Sequence, residues 1–374
     1  MEPRRWLAAA VLMCVLVLCS GRELKAKDAP TYDPALARTL AEYTSAVYTA
    51  DLTQLFTWTC ERCGDLTEGF EVIELIVDVK NCLQAYVGFA KDMNAVIVVF
   101  RGTQENSIQN WIEDLFWKQL DLDYPGMPEA KVHSGFYSAY HNTTLRDGVV
   151  SGIQKTREVY GNIPIMVTGH SMGGAMASFC ALDLVVSNKF CPQSKIVGDW
   201  KSSMIGHNPW EELEHLKINF RLKDVKLMTF GQPRIGNAVF ASNFNRSLPD
   251  TIRMTNSHDI VPHLPPYYQY FPQKTYHHFP REVWIHSVGL GSFVYSIEEI
   301  CDGSGEDPTC SRSVSGNSVN DHIHYLGISM HAESLGHCRI VTDDRILQYN
   351  MDTAGNIVLF KQPGLSVNEL HSAQ

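Results

Sequence analysis

Residues 167–180 read VTGHSMGGAMASFC, a short apolar strand that turns at Ser171 into a run of small residues. Gly169 and Gly173 flank the serine, and this Gly-x-Ser-x-Gly pattern occurs once in the chain. Glycine on both sides lets a strand and the helix after it approach without a Cβ clash, and Gly174, Ala175 and Ala177 continue that small face. Two structures fit such a corner. One is a plain turn with a capping serine. The other is a nucleophile elbow, whose strained backbone presents the hydroxyl at a helix N-terminus where the helix dipole favours negative charge.

The rest of the chain supplies a sheet for either. Asp33 followed by Pro34 is a capped helix start, and Leu36, Leu40, Tyr43, Ala46 and Val47 recur at helical spacing. FEVIELIVDV, CLQAYVGFA and NAVIVVFRGT are short β-branched runs bounded by turn residues, hence strands. NIPIMVTGHS, DVKLMTFGQPRIG, PDTIRMTNSHD and REVWIHSVG add further strands, and MGGAMASFCALDLVVS is a long helix. Strands alternating with helical stretches predict an α/β fold, a mostly parallel central sheet with helices on both faces. Residues 192–222 read as a polar surface insertion, and residues 343–362 as a C-terminal hairpin turning at DTAGN. No internal repeat or low-complexity linker divides the 374 residues, so residues 22–374 are expected to form a single domain.

Residues 6–19 are unbroken apolar sequence behind Arg4 and Arg5, shorter than the roughly twenty a membrane span needs. With Cys19, Ser20 and Gly21 following, residues 1–21 read as a secretory signal peptide, against the alternative of an uncleaved anchor. The expected location is extracellular, or the lumen of a vacuole or the endomembrane system. In such a compartment the mature cysteines, Cys60, Cys63, Cys82, Cys180, Cys191, Cys301, Cys310 and Cys338, are candidates for disulfides. Asn142 in NTT and Asn245 in NRS fit the N-glycosylation pattern. Apolar residues make up 44% of the chain, charged residues 19%, and the net charge is −10 without a basic run, which argues against nucleic-acid partners.

A serine hydroxyl needs a base, and the base needs an acid to fix its tautomer. On a sheet of this kind the chain order is serine, acid, histidine. Asp259 follows the strand TIRMT and fits the acid, although an Asx-turn cap reads the same way. Asp224 and Asp250 precede strands and fall at the wrong edge. Of His263, His277, His278, His286, His322, His324, His331, His337 and His371, composition leaves His322 and His324 tied, both at the end of the polar loop SVSGNSVNDHIHYLG. No matching acidic or cysteine pair lies nearby to make their H-x-H a zinc half-site, and no metal or organic cofactor is expected.

Assembled, the chain resembles the fungal-type triacylglycerol lipases, the class 3 lipase family, and especially its secreted plant members. The resemblance runs from about residue 36 to residue 338 and rests on VFRGT with NWIEDL, KVHSGF, VTGHSMGGA, ALDL, GQPRIGN, HDIVPHLPP and DHIHYLG. It implies an α/β-hydrolase fold with Ser171 as nucleophile and Asp259 as acid. It also breaks the histidine tie in favour of His322, the residue after Asp in DH-x-x-Y-x-G. The oxyanion hole maps to Thr103 and to the N–H of Met172, matching the two preorganised donors that acyl transfer needs. The family's short helical lid maps to QENSIQNWIEDL, residues 104–115. Its Ile108, Trp111, Ile112 and Leu115 form one apolar face; the alternative is an ordinary packed surface helix with Trp111 in the core. The resemblance further implies Cys60–Cys63 and Cys301–Cys310 disulfides. The sequence departs from the fungal pattern at the long disulfide, whose N-terminal cysteine is missing while Cys338 sits near its other end. The 192–222 insertion and the C-terminal hairpin have no fungal counterpart.

These features predict a secreted serine hydrolase cleaving lipid esters through an acyl-enzyme: a triacylglycerol lipase, phospholipase A1 or galactolipase. Its partner is a lipid ester at an interface, contacted transiently, and nothing in the sequence fixes an oligomeric state. The apolar lid weighs against a feruloyl-type esterase, and the negative charge against anionic lipid. The rival from another class is a lipase-like protein that binds and signals without hydrolysis. A serine peptidase is a distant third.

Overall fold

Val96, Val98 and Phe100 face one apolar core while Ala95, Ile97 and Val99 face another, so a single strand divides the protein into two layers. This period of two is that of a strand covered on both faces. The computed structural model describes residues 31–103, 105–186, 224–267, 275–290, 293–331, 349–353 and 355–360. The expected signal peptide and polar insertion, together with Cys191, Cys338, His337 and His371, lie outside the described residues.

Helix α1 (Pro34–Ala46) begins as its sequence predicts: the Asp33 carboxylate accepts the N–H groups of Ala35 and Leu36. Helix α2 (Leu52–Thr57) is followed by strands β1 (Glu71–Asp78), β2 (Leu83–Ala90) and β3 (Ala95–Phe100), then helix α3 (Glu105–Trp117). Two short strands, β4 (Leu122–Asp123) and β5 (Lys131–Val132), precede helices α4 (Ser134–His141) and α5 (Thr144–Tyr160). Next come β6 (Ile165–His170), α6 (Met172–Val186), β7 (Val225–Phe230), α7 (Ala238–Ser247) and β8 (Thr251–Asn256). Strands β9 (Glu282–Leu290) and β10 (Phe293–Ile300), helix α8 (Val319–His322), and strands β11 (His324–Tyr325), β12 (Ile328–Ser329), β13 (Tyr349–Met351) and β14 (Ile357–Phe360) complete the described elements.

The main sheet has the order β10-β9-β8-β7-β6-β3-β2-β1-β14-β13. Its centre, β3 through β6, β7 and β8 to β9, is parallel, and antiparallel strands extend it on both sides. Helices α4, α5 and α6 contribute to the core on one face, and α1 to the core on the other. All the parallel strands therefore end at one edge, where an open α/β sheet gathers its ligands. Strands β13 and β14 pair around Asp352–Gly355 and join the sheet through β1. Disulfides link Cys60 to Cys63 and Cys301 to Cys310. Cys82 is also disulfide-bonded, whereas Cys180 in α6 is a free, buried thiol whose pKa burial raises.

Candidate active site

Ser171 joins β6 to α6 in the left-handed region, φ 59°, a conformation that costs a non-glycine residue roughly 1–2 kcal/mol. Close packing holds it there. A Cβ on Gly173 would stand 2.2 Å from the Phe100 carbonyl oxygen, and one on Gly169 would stand 2.5 Å from the Gly173 backbone. The flanking glycines are thus demanded by the crossing of β3, β6 and α6, and the Ser171 N–H is tied to the Phe230 carbonyl at 2.9 Å. The hydroxyl sits at the N-terminal end of a helix of 15 residues.

Asp259 follows β8 through a tight turn in which its own N–H donates to the Asn256 carbonyl. Its Oδ1 accepts the Val261 N–H at 2.8 Å, so an Asx turn is present as well. Oδ2 faces the other way and lies 2.9 Å from His322 Nδ1. The turn contact and the His322 contact thus fall on different oxygens of one carboxylate. His322 ends α8, a single turn capped by Ser318, and is fully buried. Asn256 Nδ2 donates to the carbonyls of Asp321 and His324, pinning the chain on both sides of His322 to the end of β8. His324 is half-buried and bonds the Asn320 carbonyl instead, so the geometry separates the two histidines of H-x-H.

A carboxylate oxygen only accepts, so His322 carries its proton on Nδ1 and leaves Nε2 bare. Ser171 Oγ and His322 Nε2 are both buried without a hydrogen-bond partner. A buried hydroxyl and a buried bare imidazole nitrogen, each unsatisfied, are costly to fold alone and are features of a reaction site held from water. The loop after β3 lies against them: a Cβ on Gly102 would stand 3.0 Å from Ser171 Cβ. Thr103 is half-buried and its hydroxyl points at the Met172 sulfur, 3.8 Å away, so the two expected oxyanion residues are neighbours.

Several residues around this site, Tyr325 and Gly231 among them, were not singled out by sequence reasoning. Tyr325 is buried and donates its hydroxyl to Asp259 Oδ2 at 2.5 Å. Burial, and secondarily the charge of Asp259, hold its phenol well above the usual range, so it stays a donor. Its signal was present, as the tyrosine of DHIHY. Gly231 has φ +57°, and a Cβ there would stand 2.9 Å from both Asp259 Oδ2 and His322 Nδ1.

Helix α3 lies over the same core. Ile108, Ile112 and Leu115 are buried, Trp111 is half-buried with its ring 6.2 Å from that of Phe136, and Asn110, Glu113 and Asp114 are exposed. Phe116 and Trp117 extend the apolar character into solvent, Trp117 at 79% exposure. Asn142 is exposed at the end of α4, and Asn245 is half-buried within α7. Among the described residues, Cys301, Asp307 and Cys310 form a cluster of metal-ligand type, but both sulfurs are spent in the disulfide. No described helix is long and apolar enough to cross a membrane.

The family model for class 3 lipases matches residues 97–269, which take in Ser171 and Asp259. A lipase of Rhizomucor miehei is 30% identical over 73% of this chain and 63% of its own length. Over these residues the chain is similar to the class 3 lipases. A secreted mono- and diacylglycerol lipase of Fusarium solani is 25% identical over 68% of the chain and 63% of itself. The chain spans 56–63% of the length of the curated relatives it matches. In three dimensions, a triacylglycerol lipase described as having a serine-protease triad for its catalytic centre superposes with a TM-score of 0.60. The identity is 28%, over 83% of this chain and 100% of the lipase. The fold shared with these class 3 lipases is the α/β-hydrolase fold.

Proposed function

We propose that this class 3 lipase homologue is a serine-dependent hydrolase of lipid carboxylic esters, with Ser171 as nucleophile, His322 as base and Asp259 as the acid that orients it. The observation that carries the reading is the pairing of Asp259 Oδ2 with His322 Nδ1, which leaves Nε2 bare in a buried site shared with a strained, unpartnered Ser171 hydroxyl. In the reaction, Ser171 Oγ bonds to the ester carbonyl carbon and its proton passes to His322 Nε2. The oxyanion is met by the N–H groups of Thr103 and Met172 and the Thr103 hydroxyl. The tetrahedral intermediate collapses as His322 protonates the departing alcohol. Water then gives a proton to the same nitrogen and attacks the acyl carbon, and as the acyl–Oγ bond breaks His322 returns that proton to Ser171 Oγ and the fatty acid is released.

The substrate class proposed is neutral acylglycerol, with galactolipid and zwitterionic phospholipid behind it, because a chain of net charge −10 is repelled from anionic lipid. The apolar face of α3 and its exposed Phe116–Trp117 end support a lid that lifts at a lipid surface. The mature protein is proposed to act outside the cell or in an endomembrane lumen, with Asn142 glycosylated. The test is fluorophosphonate labelling together with hydrolysis of emulsified triacylglycerol, phosphatidylcholine and galactolipid, with a soluble short-chain ester for comparison. Labelling at Ser171 and loss of all hydrolysis in Ser171→Ala are expected. A folded protein that neither labels nor hydrolyses any of these is the non-catalytic binding protein of the rival reading.

A further inference from the structure

His170, the residue before Ser171, is wholly buried, and both of its ring nitrogens are engaged. Nε2 lies 2.7 Å from the main-chain carbonyl oxygen of His322, and Nδ1 lies 2.8 Å from the Tyr48 hydroxyl. The Tyr48 oxygen in turn lies 3.1 Å from the N–H of Gly102, which immediately precedes Thr103. Each proton in this chain has one place to be. A carbonyl only accepts, so His170 Nε2 carries hydrogen. Nδ1 is then bare and accepts from the Tyr48 O–H, whose oxygen accepts the Gly102 N–H.

We propose that Tyr48 and His170 are positioning residues, a one-directional hydrogen-bond relay that locks the main chain of the base to the oxyanion loop through the residue next to the nucleophile. The proposal rests on the hydrolase reading above. It explains why two polar side chains far apart in sequence, Tyr48 in the turn after α1 and His170 at the end of β6, are buried beside the loop of His322. The relay joins the three parts of the site that must stay in register: the elbow, the His322 backbone and the start of the Thr103 loop. A small misplacement among such groups lowers the rate steeply while leaving binding largely intact.

The relay works only while uncharged. The imidazole rings of His170 and His322 are 4.4 Å apart, so a second proton on His170 would oppose the imidazolium that forms on His322 in the proposed reaction. Burial first, then the neighbouring His322 and His331, hold the His170 pKa well below the usual value. Burial likewise raises the Tyr48 phenol against the smaller, opposing pulls of the Gly102 N–H and then of Arg101 and Arg62.

The experiment compares Tyr48→Phe and His170→Gln with the parent full-length protein, after thermal melting establishes folding. On a soluble short-chain ester, kcat is expected to fall about tenfold in Tyr48→Phe and further in His170→Gln, with KM within twofold. The downfield proton resonance of His322 Nδ1–H is expected to move in both. If His170→Gln does not fold, Tyr48→Phe, which removes one oxygen, decides alone. Parent-like kcat with an unmoved resonance in folded Tyr48→Phe overturns the relay. A parent protein with no activity overturns the hydrolase reading instead, and the resonance then still decides whether the relay holds His322.

Discussion

The hydroxyl of Tyr325 and the Nδ1–H of His322 meet on the same oxygen of Asp259, at 2.5 and 2.9 Å. With Val261 N–H on the other oxygen, a carboxylate cut off from water has three donors. That satisfies it where an unsatisfied charge would be prohibitive. Tyr325→Phe keeps the ring, which packs beside Phe230, and removes one bond to a charged group, a loss of about 1.5–3 kcal/mol. If the bond serves the pair during catalysis, kcat/KM falls roughly 10- to 100-fold with melting lowered by a few degrees. Steady-state kinetics beside a melting curve checks this, and unchanged kinetics means the hydroxyl only fills space.

Gly231 shows the opposite economy, a side chain left out so that two others can meet. Gly231→Ala would set a methyl 2.9 Å from both partners of the Asp259–His322 bond, on a backbone with φ +57°. The strain is worth about 1–2 kcal/mol of stability. The displacement of His322 is expected to cost at least a hundredfold in kcat. A crystal structure or the downfield His322 proton separates the two effects, and a folded variant of near-parental kcat refutes the contact.

How much of this was legible depended on whether a residue acts through a local pattern or through a distant approach. Ser171 with Gly169 and Gly173 is local: the clash that excludes Cβ is between a strand and the helix that follows it, so spacing alone records it. Asp259 was readable as a residue following a strand end. His322 was not separable from His324 by composition, because both end one polar loop. The difference lies in which ring reaches Asp259, 63 positions away in sequence. Gly231, Asn256, Tyr48 and His170 act wholly through such long-range contacts and leave no periodic trace. The antiparallel strands flanking the parallel centre escaped notice for a related reason: a buried apolar run has the same composition in either direction.

Buried neutral histidines set an acid limit on the fold. Burial lowers His133 to about 4 and holds His170 and His278 well below their usual value. In the unfolded chain these rings titrate near 6.5, so below that pH the unfolded state binds more protons than the folded one. Their stabilisation is complete above pH 6.5 and is lost as pH falls toward 4. Each ring is worth up to about 1.4 kcal/mol per pH unit across that window. Urea unfolding between pH 7.5 and 4.5 is expected to show this slope. His133→Asn keeps an acceptor for the Phe136 N–H and should make the slope shallower, whereas an unchanged slope would show that His133 is not protonated on unfolding.

Helix α3 is the lid of the proposed reading, the element that would control access to Ser171. Leu115, Ile112 and Ile108 hold its apolar face on the core, while the Phe116–Trp117 end is already in water. Such a helix is poised rather than fixed, since moving it exposes apolar area that only a lipid surface would cover again. Leu115→Asp places a carboxylate in that contact, and burying it unpaired costs more than letting the helix leave. Hydrolysis of a soluble short-chain ester is then expected to rise several-fold, and the ratio of emulsion to soluble rates to fall. Trp117→Ala removes only exposed area, so it should leave the soluble rate within twofold and weaken adsorption to neutral lipid vesicles. Should Leu115→Asp stay folded with both rates as in the parent, α3 is an ordinary surface helix and access to the serine is set elsewhere.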